Sequence, residues 1–97
     1  MPTITAVYVS WTESERGWGM RPDGCSIHLS MDEWRRYLKE WTAKQPKEVP
    51  AEYTAPSTPH PIDISDKKLI TKLKEKKSLR FWNGDETEVK LRQSCKM

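Results

Sequence analysis

SMDEWRRYLKEWTAK, residues 30–44, decides the fold class. Ser30 can accept a hydrogen bond from the first helical turn, and Glu33, three residues on, can reach back, which makes a capping box. Asp32 and Glu33 place negative charge at the positive end of the helix dipole. Trp34, Tyr37, Leu38 and Trp41 fall at i, i+3, i+4 and i+7 and form one apolar stripe, with Arg35, Arg36, Lys39 and Glu40 on the other side. The spacing predicts an amphipathic helix that must dock its aromatic face on something.

The segments before it supply that surface. ITAVYVSW, residues 4–11, is rich in β-branched and aromatic residues and reads as a strand. Val7, Val9 and Trp11 share one face and Ile4, Ala6 and Tyr8 the other, so both faces are apolar and the strand is predicted to be central. Cys25 to Leu29 alternates, which predicts a half-buried second strand antiparallel to the first. Cys25 faces inward there as a small core hydrophobe, and Ser26 and His28 occupy the polar face. Between the strands, TESERGWGMRPDG, residues 12–24, reads as a loop with a turn at Pro22-Asp23-Gly24. Trp18, between two glycines, is either a lid folded over a small core or an anchor at an interface. Arg16, Met20 and Arg21 beside it fit the anchor, since such residues dominate binding hot spots.

Residues 45–61, QPKEVPAEYTAPSTPHP, hold five of the seven prolines. This segment cannot be helix and is poor strand, so it is expected to be an extended strap of polyproline character. It is either a linker over the surface or a segment read by a partner, with Pro56, Pro59 and Pro61 as candidate contacts. The slow isomerisation of X-Pro bonds adds a host peptidyl-prolyl isomerase as a candidate partner. Asp63 or Ser65 can then cap a short helix, Asp66 to Lys77, with Leu69, Ile70 and Leu73 as its apolar stripe. Residues 78–82 and 86–91 flank Asn83-Gly84, a hairpin signal. A three-residue loop would set Leu79 opposite Val89, Phe81 opposite Thr87 and Arg80 opposite Glu88. Arg92 to Met97 reads as a tail.

Composition sets the limits. The 97 residues carry 35% apolar and 32% charged side chains, against roughly 45–50% apolar in an average chain. The core is therefore thin. The net charge of +3 is uneven: residues 1–62 hold seven Lys/Arg against eight Asp/Glu, a net −1, and residues 63–97 hold ten against six, a net +4. Lys67, Lys68, Lys72, Lys74, Lys76, Lys77 and Arg80 form the basic surface, which is either a solvated helix face or a site for an anionic partner. Cys25 and Cys95 show no CxxC spacing, no histidine stands at metal-ligand spacing to either, and no metal or other cofactor is expected. No stretch approaches a membrane span and no signal peptide opens the chain, so an intracellular protein with reduced thiols is expected.

The residues make a poor case for catalysis. Cys25 and His28 are the only nearby nucleophile–base pair, and three positions apart on a strand they point to opposite faces. GWG lacks the frame of a phosphate-binding loop. Protein binding fits better: of the five tryptophans, Trp34 and Trp41 belong to the helix stripe, leaving Trp18 and Trp82 for an interface. A small basic nucleic-acid-binding protein is the alternative, using the Lys67–Arg80 run for phosphates and Phe81 and Trp82 for stacking on bases.

MPTITAVYVSWTESERGWGMRPDG at the start, EYTAPSTPHPIDI and the basic helix after it together resemble the Abc-type anti-RecBCD proteins carried by lambdoid phages of Salmonella. The resemblance extends over the whole chain and is not carried by a motif of independent meaning. It implies a phage protein of the host cytoplasm that binds the host RecBCD helicase–nuclease, with RecC the favoured subunit. The enzyme's DNA-end processing and its response to the regulatory recombination sequence would be altered without any catalysis by the phage protein. The resemblance brings no catalytic residues with it and assigns no contacts. The expected fold is α+β in a single domain, 1–97. Residues 1–44 form a strand–strand–helix unit, 45–62 the proline-rich strap, and 63–97 the basic helix plus a β-hairpin.

Overall fold

In the computed structural model, which describes residues 3–15, 19–44 and 52–94, one strand organises all the others. This strand, β1 (Ile4–Glu15), pairs on one side with β2 (Gly19–His28). On its other side it pairs end to end with two short strands. β4 (His60–Ile64) lies against Ile4–Tyr8, and β3 (Glu52–Pro56) lies against Trp11–Glu15. β5 (Ser78–Phe81) closes the sheet outside β2, and every pairing is antiparallel. The expectation of a central first strand holds, for the reason given by its two apolar faces.

Each face of β1 receives helices. Val7, Val9 and Trp11 meet α1 (Met31–Ala43) through Trp34, with Tyr37, Leu38 and Trp41 packed around them. Ala6 and Tyr8, with Cys25, Ile27, Ile62 and Ile64, face the opposite way. They meet Ile70 and Leu73 of α2 (Lys67–Lys76) and Leu91 of α3 (Glu86–Ser94). The protein is a small α+β domain in three layers, helix–sheet–helices. α1 starts as its sequence requires: the Ser30 hydroxyl accepts from the Glu33 amide at 3.3 Å. The cap of α2 is Asp66, which accepts from the Lys68 and Leu69 amides, so of the expected caps Asp63 lies three residues too early and Ser65 one.

The stretch expected to be a loop, residues 12–24, is largely strand. β1 runs on to Glu15 and β2 begins at Gly19, forming an arm paired as far as Glu15–Gly19. The Pro22-Asp23-Gly24 signal does not reverse the chain. It marks a β-bulge, where the register slips between Ser10–Cys25 and Thr12–Pro22 and Gly24 takes φ +101°. The proline strap is extended, but its described part is two short strands joined by residues 57–59 rather than free polyproline. Pro56 stands opposite Trp11 and Pro61 opposite Val7, on the outer strands where a missing N–H is tolerated.

The C-terminal hairpin does not form. Only its first half is a strand, and it pairs with β2, Cys25 opposite Phe81 and Ile27 opposite Leu79. Residues 86–94 are helical because Asp85 caps them: its carboxylate accepts from the Thr87 amide at 2.9 Å. Glu88, three residues on, reaches back to the Gly84 amide at 3.3 Å. Asp85 and Glu88 thus hold the first turn from both sides without the reciprocal bonds of a capping box, and Glu88 is buried with Arg92 as its ion partner rather than Arg80.

At the end of α2, Lys77 is held at φ +73° while its amide donates to Leu73 and its carbonyl accepts from Leu29. Side chains with a Cβ are strained in that region, and glycine is not. Lys77→Gly is expected to raise stability by about 0.5–1 kcal/mol in a urea titration. A lowered midpoint would show that the Lys77 side chain contributes more than the strain costs.

Candidate functional site

The face of the sheet that carries α1 ends in a cluster of tryptophans around one arginine. Trp11 is buried, and edge-on to Trp34, Tyr37 and Trp41 at 6.1, 6.1 and 5.3 Å between ring centroids. Ser78, Arg80 and Trp82 follow each other at alternate positions of β5 and its end, so they share this face. The Arg80 guanidinium lies 5.2 Å from the Trp11 ring and 4.4 Å from the Trp82 ring. It is fixed in the plane by its own hydrogen bonds: Nη2 to Asp23 Oδ2 at 3.1 Å, and Nη1 to the Phe81 carbonyl at 2.6 Å. The Arg80 and Asp23 side chains are mostly buried, and the outer ring, Trp82, is 65% exposed.

The bulge makes this possible. Gly24 lets the chain at Phe81–Asn83 cross directly over β2, and the extra residue turns Asp23 toward Arg80. The result is a large apolar ring held out to solvent on a fixed cationic base. Such cation–π stacking contributes about 0.5–1 kcal/mol at an exposed site. Its larger consequence is that Trp82 has little rotamer freedom left to lose when it binds.

His28 is not on a polar face, as its alternation with Cys25 and Ile27 suggested. It is fully buried under α1, with ring contacts to Trp34 and Tyr37 at 4.8 and 5.0 Å. Both ring nitrogens are satisfied, Nε2 by Ser26 Oγ and Nδ1 by Ser78 Oγ, each at 2.7 Å, and Trp11 Nε1 donates to the same Ser26 oxygen at 2.8 Å. Burial lowers the His28 pKa to about 4. The unfolded chain binds the proton first, so His28 stabilises the fold fully above pH 6.5 and less as pH falls toward 4. Stability should drop by about 2 kcal/mol between pH 7 and pH 5. Denaturation of His28→Asn measured at both pH values should lose most of that difference. Cys25 points to the other face, as expected, and burial, then the Glu88 carboxylate, push its thiol up to about 12. That thiol stays protonated, and it is not a nucleophile at neutral pH.

The residues singled out from sequence separate into groups. Arg16 and Trp18 lie outside the described residues. Met20 is in β2 opposite Ser14, and Arg21, exposed, pairs with Glu13 at 3.2 Å. Pro59 and Pro61 line a shallow groove with Met31 at the start of α1. Along β1 this is about 20 Å from the arm, counting six residues from Val7 to Glu13. Pro56 lies between the two. Lys67, Lys68, Lys72, Lys74, Lys76 and Lys77 are all exposed on α2 and its cap. Arg80 does not belong with them: it is turned inward, and ion-paired to Asp23. Phe81 packs against the core on the α2 side, so it is not free to stack on a base. Among the described residues no three His, Cys, Asp or Glu side chains converge as metal ligands, and no helix is long and apolar enough to cross a membrane. No protein-family model, curated protein or solved structure matches the chain.

Proposed function

We propose that this chain is a phage modulator of the host RecBCD helicase–nuclease, acting by protein–protein contact in the host cytoplasm and without catalysis, with RecC as the favoured subunit. The sequence resemblance names the partner. The observation that carries the binding mode is Trp82, 65% exposed and stacked on Arg80, which Asp23 holds in place. An exposed, pre-positioned tryptophan beside arginine is the composition of a binding hot spot. Arg21 lies on the same arm as Asp23 and adds a polar rim.

A host prolyl isomerase is proposed as a second partner at Pro56, Pro59 and Pro61. The support is the placement of these prolines at the sheet edge, with Pro61 exposed and Pro59 in the short link between β3 and β4. Replacing all three by alanine should weaken isomerase capture, and unchanged capture would remove this part of the proposal. The main reading is tested with purified RecBCD and a linear duplex bearing the recombination sequence. Adding the chain should change the fragments released at that sequence. An unchanged fragment pattern at saturating protein would contradict it.

A further inference from the structure

The ion pairs of this protein are unevenly distributed. Each arginine among the described residues has a carboxylate within 4 Å: Arg21 with Glu13, Arg35 with Asp32, Arg36 with Glu33, Arg80 with Asp23 and Arg92 with Glu88. Lys90 is paired with Glu86, while Lys39 and Lys44, on α1 and its C-cap, have no carboxylate within 4 Å among the described residues. The six lysines of α2 and its cap have no carboxylate partner among the described residues, and all six are exposed. Ile70 and Leu73 fix the orientation of the helix by docking on the sheet, so the lysines are carried outward by a rigid element. Lys68, Lys72 and Lys76 stand four residues apart and form a ridge, with about 6 Å along the helix axis between successive positions. Lys67 and Lys74 point elsewhere, about 140° and about 160° around the helix from Lys72, and Glu75 adjoins the ridge on that side.

We infer that this ridge is a binding surface for a nucleic-acid phosphate backbone. Lysines crowded on one helix face repel each other, and a polyanion relieves that repulsion. The residue types select the class of polyanion. Protein interfaces are depleted in lysine and rely on aromatic, Met and Arg anchors, and the α2 face offers none of these. A lysine is a point charge without the fork that reads a carboxylate or a base edge, which suits contact with phosphates regardless of sequence. The one hydroxyl on this face, Thr71, is already donated to the Lys67 carbonyl at 2.9 Å. Trp82 and Arg80 belong to the α1 side of the sheet and α2 packs on the other side, so a protein held through Trp82 leaves α2 free for DNA. The inference goes beyond the helicase–nuclease reading and does not depend on it.

The test is fluorescence anisotropy of a labelled 20-base-pair duplex, of arbitrary sequence, titrated with the full chain at rising salt. Three phosphate contacts predict log K against log salt with a slope of about −3. Lys68→Glu with Lys72→Glu should weaken binding more than tenfold at low salt and flatten the slope to about −1. Lys68→Gln with Lys72→Gln should fall between, and all of these substitutions are on exposed positions that leave the core intact. The same variants should still be retained by RecBCD. Absence of salt-dependent DNA binding, or binding indifferent to both double substitutions, would overturn the inference. So would variants that bind DNA normally but lose RecBCD, which would make α2 a contact for an acidic protein surface. Loss of RecBCD binding by Trp82 variants alone would leave it standing.

Discussion

Gly24→Ala is expected to destabilise the fold by about 3–5 kcal/mol, the largest loss among the described glycines. A Cβ at this position would collide with the Phe81 carbonyl oxygen and meet the Asn83 amide and Arg80 Nη1, each at 2.8 Å. The first two are backbone atoms and cannot swing aside. The residue also stands at φ +101°, which disfavours any L side chain. Relief would require β5 to lift from β2, breaking the pairing of Cys25 with Phe81 and the fixation of Arg80. Gly84→Ala is the control: its φ is +91°, but nothing lies within 4 Å of the added methyl. It should cost only about 1–2 kcal/mol, the conformational part alone. Equal losses for the two variants in urea titrations would contradict the close crossing at the bulge.

Trp82→Ala is expected to do the reverse, leaving the fold and removing the proposed binding. At 65% exposure, the ring buries little, and stability should change by about 1 kcal/mol or less, the stacking on Arg80. Affinity for RecBCD should fall by about 30- to 1,000-fold, the cost of truncating a central anchor, or about 2–4 kcal/mol. Asp23→Ala should fall between, since it frees the Arg80 guanidinium without removing the ring. Calorimetric titration of each variant into RecBCD separates these effects. Wild-type affinity in Trp82→Ala would exclude the aromatic cluster as the binding surface.

The parts of the fold that could be read from sequence are those specified by neighbours along the chain. The two apolar faces of residues 4–11, the Ser30–Glu33 capping box and the Leu69–Ile70–Leu73 stripe each declare an element and its orientation. The C-terminal helix was equally local, but two signals overlapped. Asn83-Gly84 suggested a hairpin, and Thr87, Val89 and Leu91 alternate as in a strand. The Asp85 cap, with Glu88 reaching back to the Gly84 amide, decides for helix, and burial then falls on Glu88 and Leu91 at helical spacing. The arm was not legible because residues 12–15 are polar on both faces, and carry no periodicity to mark a strand. His28 was misplaced because one strand's alternation cannot show that a helix covers its polar side as well.

At the candidate site Trp82 was legible, since five tryptophans exceed what so thin a core absorbs. Its base was not. Arg80 counts with the lysines in a charge run, and only the fold brings it to Asp23, 57 residues earlier.

A pull-down from host lysate treated with nuclease tests the central claim most directly, comparing the tagged chain with its Trp82→Ala variant. Recovery of the RecB, RecC and RecD subunits is expected with the wild-type chain, and their loss with the variant. An eluate without those subunits from the wild-type chain would contradict that claim.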